Sequence, residues 1–277
     1  MQNKLKHDVQ KDIVAIIQAR MSSTRLPGKV LRMIENKPML HHVINQVIHS
    51  KFIKDVIIVT TTMSQDDLIV KYCKKNNIKY FRGSSTDLLD RYYKCAKKFK
   101  IDPIVRITSD CPLIDPKVID KAIAKFSKGS FDYVANNLEK FNGKWDNSPC
   151  NFPQGMTIEI SSFKALEQAW KCAKKPSERE HVFPYIQFNP KLFRVSNFKY
   201  RKDLSFIRCT VDRLDDLKFV IELFKRFSRN KKVIEIKDIV KIVKKEPKLV
   251  KINNRIAFDE VYKKSLKKDK KMSVNEH

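Results

Sequence analysis

The sequence lacks long apolar runs and has few glycines. Of its 277 residues five are glycine, and the longest apolar stretches, such as 13–17 and 56–59, are far shorter than a membrane span, which needs about 20 residues. We therefore expect no membrane-spanning segment. Hydrophobic residues make up 42% of the chain. This is enough to bury a sizeable core, so a disordered chain is also excluded.

Cysteines are few and scattered. The six cysteines form no CxxC pair, and no histidine lies close enough in sequence to complete a zinc pattern. This arrangement predicts reduced, structural thiols. The first residues, MQNKLKHDVQKD, are polar and lack the apolar segment of a secretory signal, so we expect a cytoplasmic protein.

Positive charge is in surplus along the whole chain. Lys and Arg total 58 against 31 Asp and Glu, which gives a formal net charge of +27. Such a charge favours an anionic partner, but its even spread makes it a weak indication of phosphates and a weaker one of nucleic acid. A nucleic-acid-binding protein stays a remote alternative, because the sequence contains no RNA-recognition motif.

Apolar, β-branched runs alternate with helical periodicity in the first half of the chain. This pattern predicts an α/β fold with a mostly parallel sheet and helices on both faces. The predicted strands are 13–17, 55–61, 78–81 and 103–108, and the predicted helices are 38–49, 66–75, 87–99 and 116–126.

The second half of the chain is less regular. Residues 131–205 predict an inserted region for acceptor binding or dimerisation, after which a strand at 207–211 is expected to rejoin the sheet. We expect one domain at 13–253, between an N-terminal tail (1–12) and a Lys-rich C-terminal tail (254–277). The C-terminal tail has too few apolar residues to pack, so it is expected to be frayed and solvated.

The first predicted strand leads into a twelve-residue loop, QARMSSTRLPGK, which carries Arg20, Arg25 and Lys29. In open parallel sheets ligands bind beyond the carboxyl ends of the strands. The three cations, together with Ser22 and backbone N–H groups, could therefore bind a polyphosphate. The loop matches neither standard glycine-rich phosphate loop, and an ordinary solvated basic loop is the alternative.

Two aspartates follow predicted strands. Asp110 comes after the strand at 103–108, and Asp212 comes directly after the strand at 207–211. If both strands are parallel to the first, the two carboxylates meet at the edge that carries the basic loop. Two carboxylates facing a polyphosphate suit Mg²⁺. The alternative is that both residues only cap the helices that follow them.

Six sequence blocks, in order, resemble the spore coat polysaccharide biosynthesis protein F family, which is similar to the CMP-Kdo and CMP-sialate synthetases. The resemblance covers residues 13–253, almost everything except the tails. The blocks are IIQARMSSTRLPGKVL, VIIVTTT, FRGSSTDLLDRYY, VRITSDCPLID, PSEREHV and TVDRLDDL.

The resemblance implies a glycosyltransferase-A-like, Rossmann-like fold and a Mg²⁺-dependent cytidylyltransferase. Such an enzyme uses CTP to activate a sugar acid or related acceptor, releases pyrophosphate and serves surface polysaccharide or glycan biosynthesis. The resemblance also implies a homodimer. Its metal ligands would be Asp110 and Asp212. Its catalytic residues would be Arg20, Arg25 and Lys29, and the nucleotide would contact these three together with Ala19, Ser22, Arg82, Gly83 and Asp90.

The acceptor is less well defined than the nucleotide. Thr157 stands where the family has an acidic residue, and Phe183 replaces a hydroxyl, so the sugar stays open. A transferase for another nucleotide and a sugar phosphate, or a glycosyltransferase, remains an alternative. The acceptor-side candidates are Glu159, Glu180, His181 and Arg208, with Glu178 and Arg179 assigned to the same pocket or to a subunit interface.

Overall fold

The computed structural model describes residues 13–137, 140–141, 144–145, 151–227, 231–256 and 260–274. The predicted N-terminal tail, residues 1–12, lies outside the described residues. The strands are β1 (Ile13–Gln18), β2 (Met33–Ile34), β3 (Lys37–Pro38), β4 (Ile53–Thr61), β5 (Lys79–Gly83), β6 (Ile104–Thr108), β7 (Tyr133–Ala135), β8 (Lys140–Phe141), β9 (Lys144–Trp145), β10 (Glu159–Ser161) and β11 (Val195–Asn197).

The described helices follow the predicted periodicity closely in the first half of the chain. Short 3₁₀ turns lie at Lys29–Leu31, Ser64–Asp66 and Pro247–Ile252. The α-helices are α1 (Met39–Ile48), α2 (Asp67–Lys75), α3 (Leu88–Phe99), α4 (Pro116–Lys128), α5 (Phe163–Cys172), α6 (Pro176–His181), α7 (Pro184–Gln187), α8 (Leu214–Arg226), α9 (Ile236–Lys245) and α10 (Glu260–Val274).

The main sheet has seven strands in the order β11-β7-β10-β6-β1-β4-β5. Strands β6, β1, β4 and β5 pair in parallel, so their carboxyl ends share one edge. Strand β10 is antiparallel to both of its neighbours. The prediction of a mostly parallel sheet is confirmed, and residues 131–205 extend this sheet through β7, β10 and β11.

The central strands are apolar on both faces because helices cover both. Along β1, Ile17 belongs to a hydrophobic cluster that includes residues of α1, α4, α8 and α9, whereas its neighbour Ile16 belongs to a cluster that includes residues of α3, α5 and α7. Successive side chains of a strand point to opposite faces, so a doubly covered strand appears as a continuous apolar run. Strand β4, IKDVIIVTT, shows this pattern in its last six residues, all buried.

The predicted strand at 207–211 is wrong. Within this segment the structure has only an isolated bridge between Gln154 and Arg208. Gly155, with φ +92°, allows its backbone to approach the backbone of Thr210 closely, because a Cβ at this position would lie 2.7 Å from the Thr210 nitrogen. At the end of the segment, Val211 N–H donates a hydrogen bond to the Asp110 carbonyl, 2.8 Å away. It therefore packs on the loop after β6 rather than joining the sheet as a strand.

The prediction of a frayed C-terminal tail is also wrong. Residues 260–274 form α10, which packs on α6. Ser265 is buried at 1% exposure, and Asp269 accepts hydrogen bonds from the backbone and the hydroxyl of Ser177. Polar contacts hold this helix, so the scarcity of apolar residues did not prevent packing. Among the described residues, no helix is long and apolar enough to cross a membrane.

The cysteines are unpaired wherever the structure describes them. Cys73, Cys95, Cys111 and Cys209 are buried, Cys172 is exposed, and none of these five forms a disulfide. Burial raises the pKa of the Cys73 thiol to about 12, which keeps the thiol protonated at neutral pH. The four buried cysteines therefore agree with the prediction of structural thiols, whereas the exposed Cys172 is not a buried, structural thiol. Cys150 lies outside the described residues.

Asp115 links two helices on one face of the sheet. Its Oδ1 caps α4 by accepting from Lys117 N–H at 2.8 Å, and its Oδ2 accepts from Ile236 N–H at 2.8 Å, where α9 begins. We expect Asp115→Ala to lower the free energy of unfolding by about 1–3 kcal/mol, because two backbone donors lose their acceptor. Lys117→Ala removes an exposed ion pair with Glu235 and should change it by less than about 0.5 kcal/mol. Urea unfolding measures both, and equal effects would contradict the linking role.

Candidate active site

The basic loop that follows β1 has a fixed backbone. Ala19 N–H continues the β1 ladder by donating to the Val59 carbonyl at 3.0 Å, and Gly28 N–H closes the loop on the Met21 carbonyl at 3.0 Å. Gly28 has φ +66°, in the left-handed region that glycine adopts at little cost. The 3₁₀ turn Lys29–Leu31 starts directly after it, which directs Lys29 back towards the sheet edge.

The carboxylate of Asp66 anchors the backbone of this loop. It is fully buried, and its Oδ1 accepts from Met21 N–H at 2.7 Å. Its Oδ2 accepts from the backbone N–H of Thr61 at 3.2 Å and from the Thr61 hydroxyl. One carboxylate thus ties the loop to the end of β4. The sequence analysis missed Asp66, because an aspartate just before a helix is the usual sign of a cap.

Lys29 brings the two predicted metal ligands together. Its Nζ is 2.8 Å from Asp110 Oδ2 and 3.0 Å from Asp212 Oδ1, and it also donates to the Val211 carbonyl at 2.8 Å. Lys29 is 8% exposed. Both carboxylates therefore converge on one cation at the carboxyl edge of the sheet, so they do not serve only as helix caps.

Charge pairing keeps Lys29 and Asp110 ionised. Burial lowers the pKa of Lys29, but the charges of Asp110 and Asp212 and their hydrogen bonds outweigh it, so the pKa is raised above its ordinary value. Burial raises the pKa of Asp110, but the charge and hydrogen bond of Lys29 outweigh it and lower that pKa to about 2. Lys29 and Asp110 are therefore charged at neutral pH.

Asp212 is held by two further cations. Arg25 donates from Nη2 to Asp212 Oδ1 at 2.5 Å, and Arg208 donates from Nη2 to Asp212 Oδ2 at 2.9 Å. The Arg208 guanidinium also contacts Asp216 Oδ1 at 2.8 Å and Gln154 Oε1 at 2.8 Å. Arg208 is engaged by these contacts and is 5% exposed. The geometry therefore favours a role for Arg208 in orienting Asp212 rather than in contacting an acceptor.

The other predicted nucleotide residues lie outside this cluster. Arg82 holds the loop after β4, donating to the carbonyls of Thr61 at 2.9 Å and Met63 at 3.0 Å. Gly83 ends β5, and Asp90 accepts from Trp170 Nε1 at 2.9 Å. In contrast, Arg20 and Ser22 are exposed, and Arg20 makes no ion pair with another described residue.

The predicted acceptor residues fall into two groups. Glu159 is buried and accepts from the Tyr133 hydroxyl at 2.6 Å and from Arg106, so it belongs to a closed network. Glu178 accepts from backbone N–H groups at the start of α6. Glu180 and His181 contact α10, and Arg179 pairs with Asp87, the N-cap of α3.

This arrangement defines a class of protein. A parallel sheet carries a cationic loop and a paired-carboxylate cluster at one edge, which is suited to binding a nucleoside triphosphate. Residues 14–252 match the family model described as Cytidylyltransferase. The chain belongs to the cytidylyltransferase family and is a CTP-dependent nucleotidyltransferase.

Similar proteins agree with this assignment. The spore coat polysaccharide biosynthesis protein SpsF of Bacillus subtilis is 34% identical over 223 residues, covering 78% of this chain and 87% of that protein. A cytidylyltransferase structure from Leptospira borgpetersenii has a TM-score of 0.80 at 32% identity, covering 90% of this chain and 100% of that one. CMP:2-keto-3-deoxy-manno-octonic acid synthetase complexed with CTP has a TM-score of 0.58 at 17% identity, covering 78% and 99%, and shows the fold alone. The resemblance stated from the sequence is confirmed.

We expect Asp66→Ala to weaken CTP binding. The backbone of the basic loop loses its buried acceptor, and an interaction of about 1–3 kcal/mol corresponds to a rise of about 5- to 150-fold in the dissociation constant. Isothermal titration with CTP measures the change. Gln65→Ala is the matched control, because Gln65 is exposed one residue away. Unchanged CTP affinity in a folded Asp66→Ala protein would exclude the anchoring role.

Proposed function

We propose that this protein transfers CMP from CTP to a sugar acid or a related acceptor, with a divalent cation such as Mg²⁺, and releases pyrophosphate. The observation that carries this proposal is the position of Lys29 Nζ between Asp110 and Asp212. The reaction needs both a triphosphate site and an ion site. The basic loop, which supplies the cations of the triphosphate site, contacts the two carboxylates of the ion site.

The donor set fits Mg²⁺. Two carboxylates already share one cation, and Mg²⁺ takes one or two protein carboxylates and fills its other positions with phosphate oxygens and water. Asp110 and Asp212 would hold it. When bound, such an ion supplies charge stabilisation at phosphate oxygens and favours deprotonation of a bound hydroxyl.

Charge balance gives the loop cations their role. Within the cluster, Lys29, Arg25 and Arg208 face Asp110, Asp212 and Asp216, so the formal charges cancel. A triphosphate gains little from cations whose charge is already paired. Binding of a divalent cation to the carboxylates would leave Arg25 and Lys29 available to the β- and γ-phosphates.

The chemical step requires the protein to position the reacting groups rather than to form a covalent intermediate. An acceptor oxygen attacks the α-phosphorus of CTP in line, and the bond to the pyrophosphate oxygen breaks on the opposite side. Arg25 and Lys29 would stabilise the charge that develops on the leaving pyrophosphate. Arg20 is exposed and is not engaged by another described residue, so it is available to the incoming nucleotide.

The acceptor class comes from the similar proteins. A 3-deoxy-manno-octulosonate cytidylyltransferase of Geotalea daltonii, 35% identical over 150 residues, is named for a sugar acid, and SpsF for spore coat polysaccharide biosynthesis. We therefore propose a sugar acid or related acceptor and a role in surface polysaccharide or glycan synthesis. The homodimer implied by the resemblance stays a prediction.

We expect CTP and Mg²⁺ to yield pyrophosphate when 3-deoxy-manno-octulosonate or another sugar acid is supplied. Crossing four nucleoside triphosphates with sugar acids and sugar phosphates, in a coupled pyrophosphate assay, identifies both substrates. Asp110→Asn should lower the turnover number by about 10²-fold or more, because the ion loses a charged ligand.

The control variant is Asp215→Asn. Asp215 is near Asp212 in sequence, but it is exposed and pairs with Lys218 at the surface, so its variant should retain the full rate. Near-full activity of Asp110→Asn would contradict the ion site. Release of free CMP or UDP from a nucleotide sugar, without pyrophosphate formation from CTP, would instead identify a glycosyltransferase.

A further inference from the structure

The C-terminal helix α10 makes a polar contact with α6 that neither the fold nor the proposed triphosphate site requires. Ser265 lies on the inner face of α10 at 1% exposure. Its Oγ is 2.7 Å from Glu180 Oε2 and 3.1 Å from His181 Nε2. A buried hydroxyl therefore bridges a carboxylate and an imidazole that belong to one turn of α6.

The direction of these hydrogen bonds fixes the imidazole. The carboxylate can only accept, so the single Ser265 proton goes to Glu180. Ser265 Oγ must then accept from His181 Nε2–H, which leaves Nδ1 unprotonated in the neutral ring. Burial lowers the pKa of His181 to about 4, assisted by the charges of Arg106 and Arg20, so the ring is neutral at pH 7.

The ring is also held sterically. Tyr262 of α10 makes an edge contact with His181 at 5.0 Å between ring centroids. The next residue in the chain, Val182, adopts φ 74° and ψ −57°, and Phe183 N–H donates to the His181 carbonyl at 3.0 Å. This is a γ-turn with a β-branched residue at positive φ, a strained conformation that persists only where surrounding packing enforces it.

His181 ends α6, a helix that packs on α3. Its neighbour Arg179 pairs with Asp87, which caps α3 at the carboxyl edge of the sheet. The positive charge of Arg20, in the basic loop, is one of the causes that lower the pKa of His181. Among the described residues, Nδ1 of His181 has no hydrogen-bond partner.

We infer that Ser265 is a positioning residue that holds His181 with Nδ1 available to accept a hydrogen bond from a hydroxyl of the acceptor sugar. This inference rests on the proposed function. It assigns α10 to the acceptor half of the site, and it predicts that the acceptor presents a hydroxyl donor, not a carboxylate, to His181.

The test combines a tautomer measurement with kinetics. In the full-length protein at pH 7, ¹⁵N NMR of His181 should show a protonated Nε2 and an unprotonated Nδ1. Ser265→Ala should give a mixture of tautomers and raise KM for 3-deoxy-manno-octulosonate, or for the best sugar acid found, by about five- to tenfold, while KM for CTP stays unchanged. Ser265→Thr, which retains the hydroxyl, should restore both.

Lys264→Ala is the matched control, because Lys264 is exposed on the same helix, and it should alter neither readout. Protonated Nδ1 in the unsubstituted protein would overturn the inference without any variant. An unchanged acceptor KM in Ser265→Ala, with its fold verified by circular dichroism, would also overturn it. If the unsubstituted protein forms no pyrophosphate from CTP with any acceptor, the proposed function fails, and that outcome is distinct from both.

Discussion

A buried lysine holds two carboxylates together at the carboxyl edge of the sheet. Lys29 reaches Asp110, which is 81 positions away in the chain, and Asp212, which is 183 positions away. Few groups in the molecule are as expensive to bury as these, since an ionised side chain in the interior is tolerated only when it is paired. The convergence of the three segments therefore constrains the basic loop, the turn after β6 and the start of α8 at the same time.

The same constraint explains the polar residues around the cluster. Asp212 carries a second set of partners through Arg208, and Arg208 is in turn neutralised by Asp216, which accepts a further hydrogen bond from Asn253 at 2.9 Å. This layer orients Asp212. Of the loop cations, Lys29 and Arg25 pair with the same carboxylates, whereas Arg20 is exposed. The structure thus combines a charge-balanced cluster with one exposed cation in the basic loop.

The sequence predicted the parallel core well, because doubly buried strands such as β4 give continuous apolar runs. It also predicted that Asp110 and Asp212 meet, although one step was wrong: Asp212 arrives from an extended segment held by Gln154 and Asp110, not from a strand. Asp66 and Asp216 were not singled out as part of the site, because their partners are backbone groups or residues distant in sequence. Helix α10 was missed because Ser265 and Asp269 anchor it, and polar anchors leave no hydrophobic periodicity.

The central claim is that the Lys29 cluster is at once the ion site and one wall of the triphosphate site. A crystal structure with CTP and Mn²⁺, with anomalous scattering recorded for manganese, tests it most directly. The account predicts a manganese peak between the carboxylates of Asp110 and Asp212, with phosphate oxygens on the ion and Lys29 in contact with the triphosphate. Manganese bound elsewhere, or a triphosphate that does not touch the 19–29 loop, would contradict it.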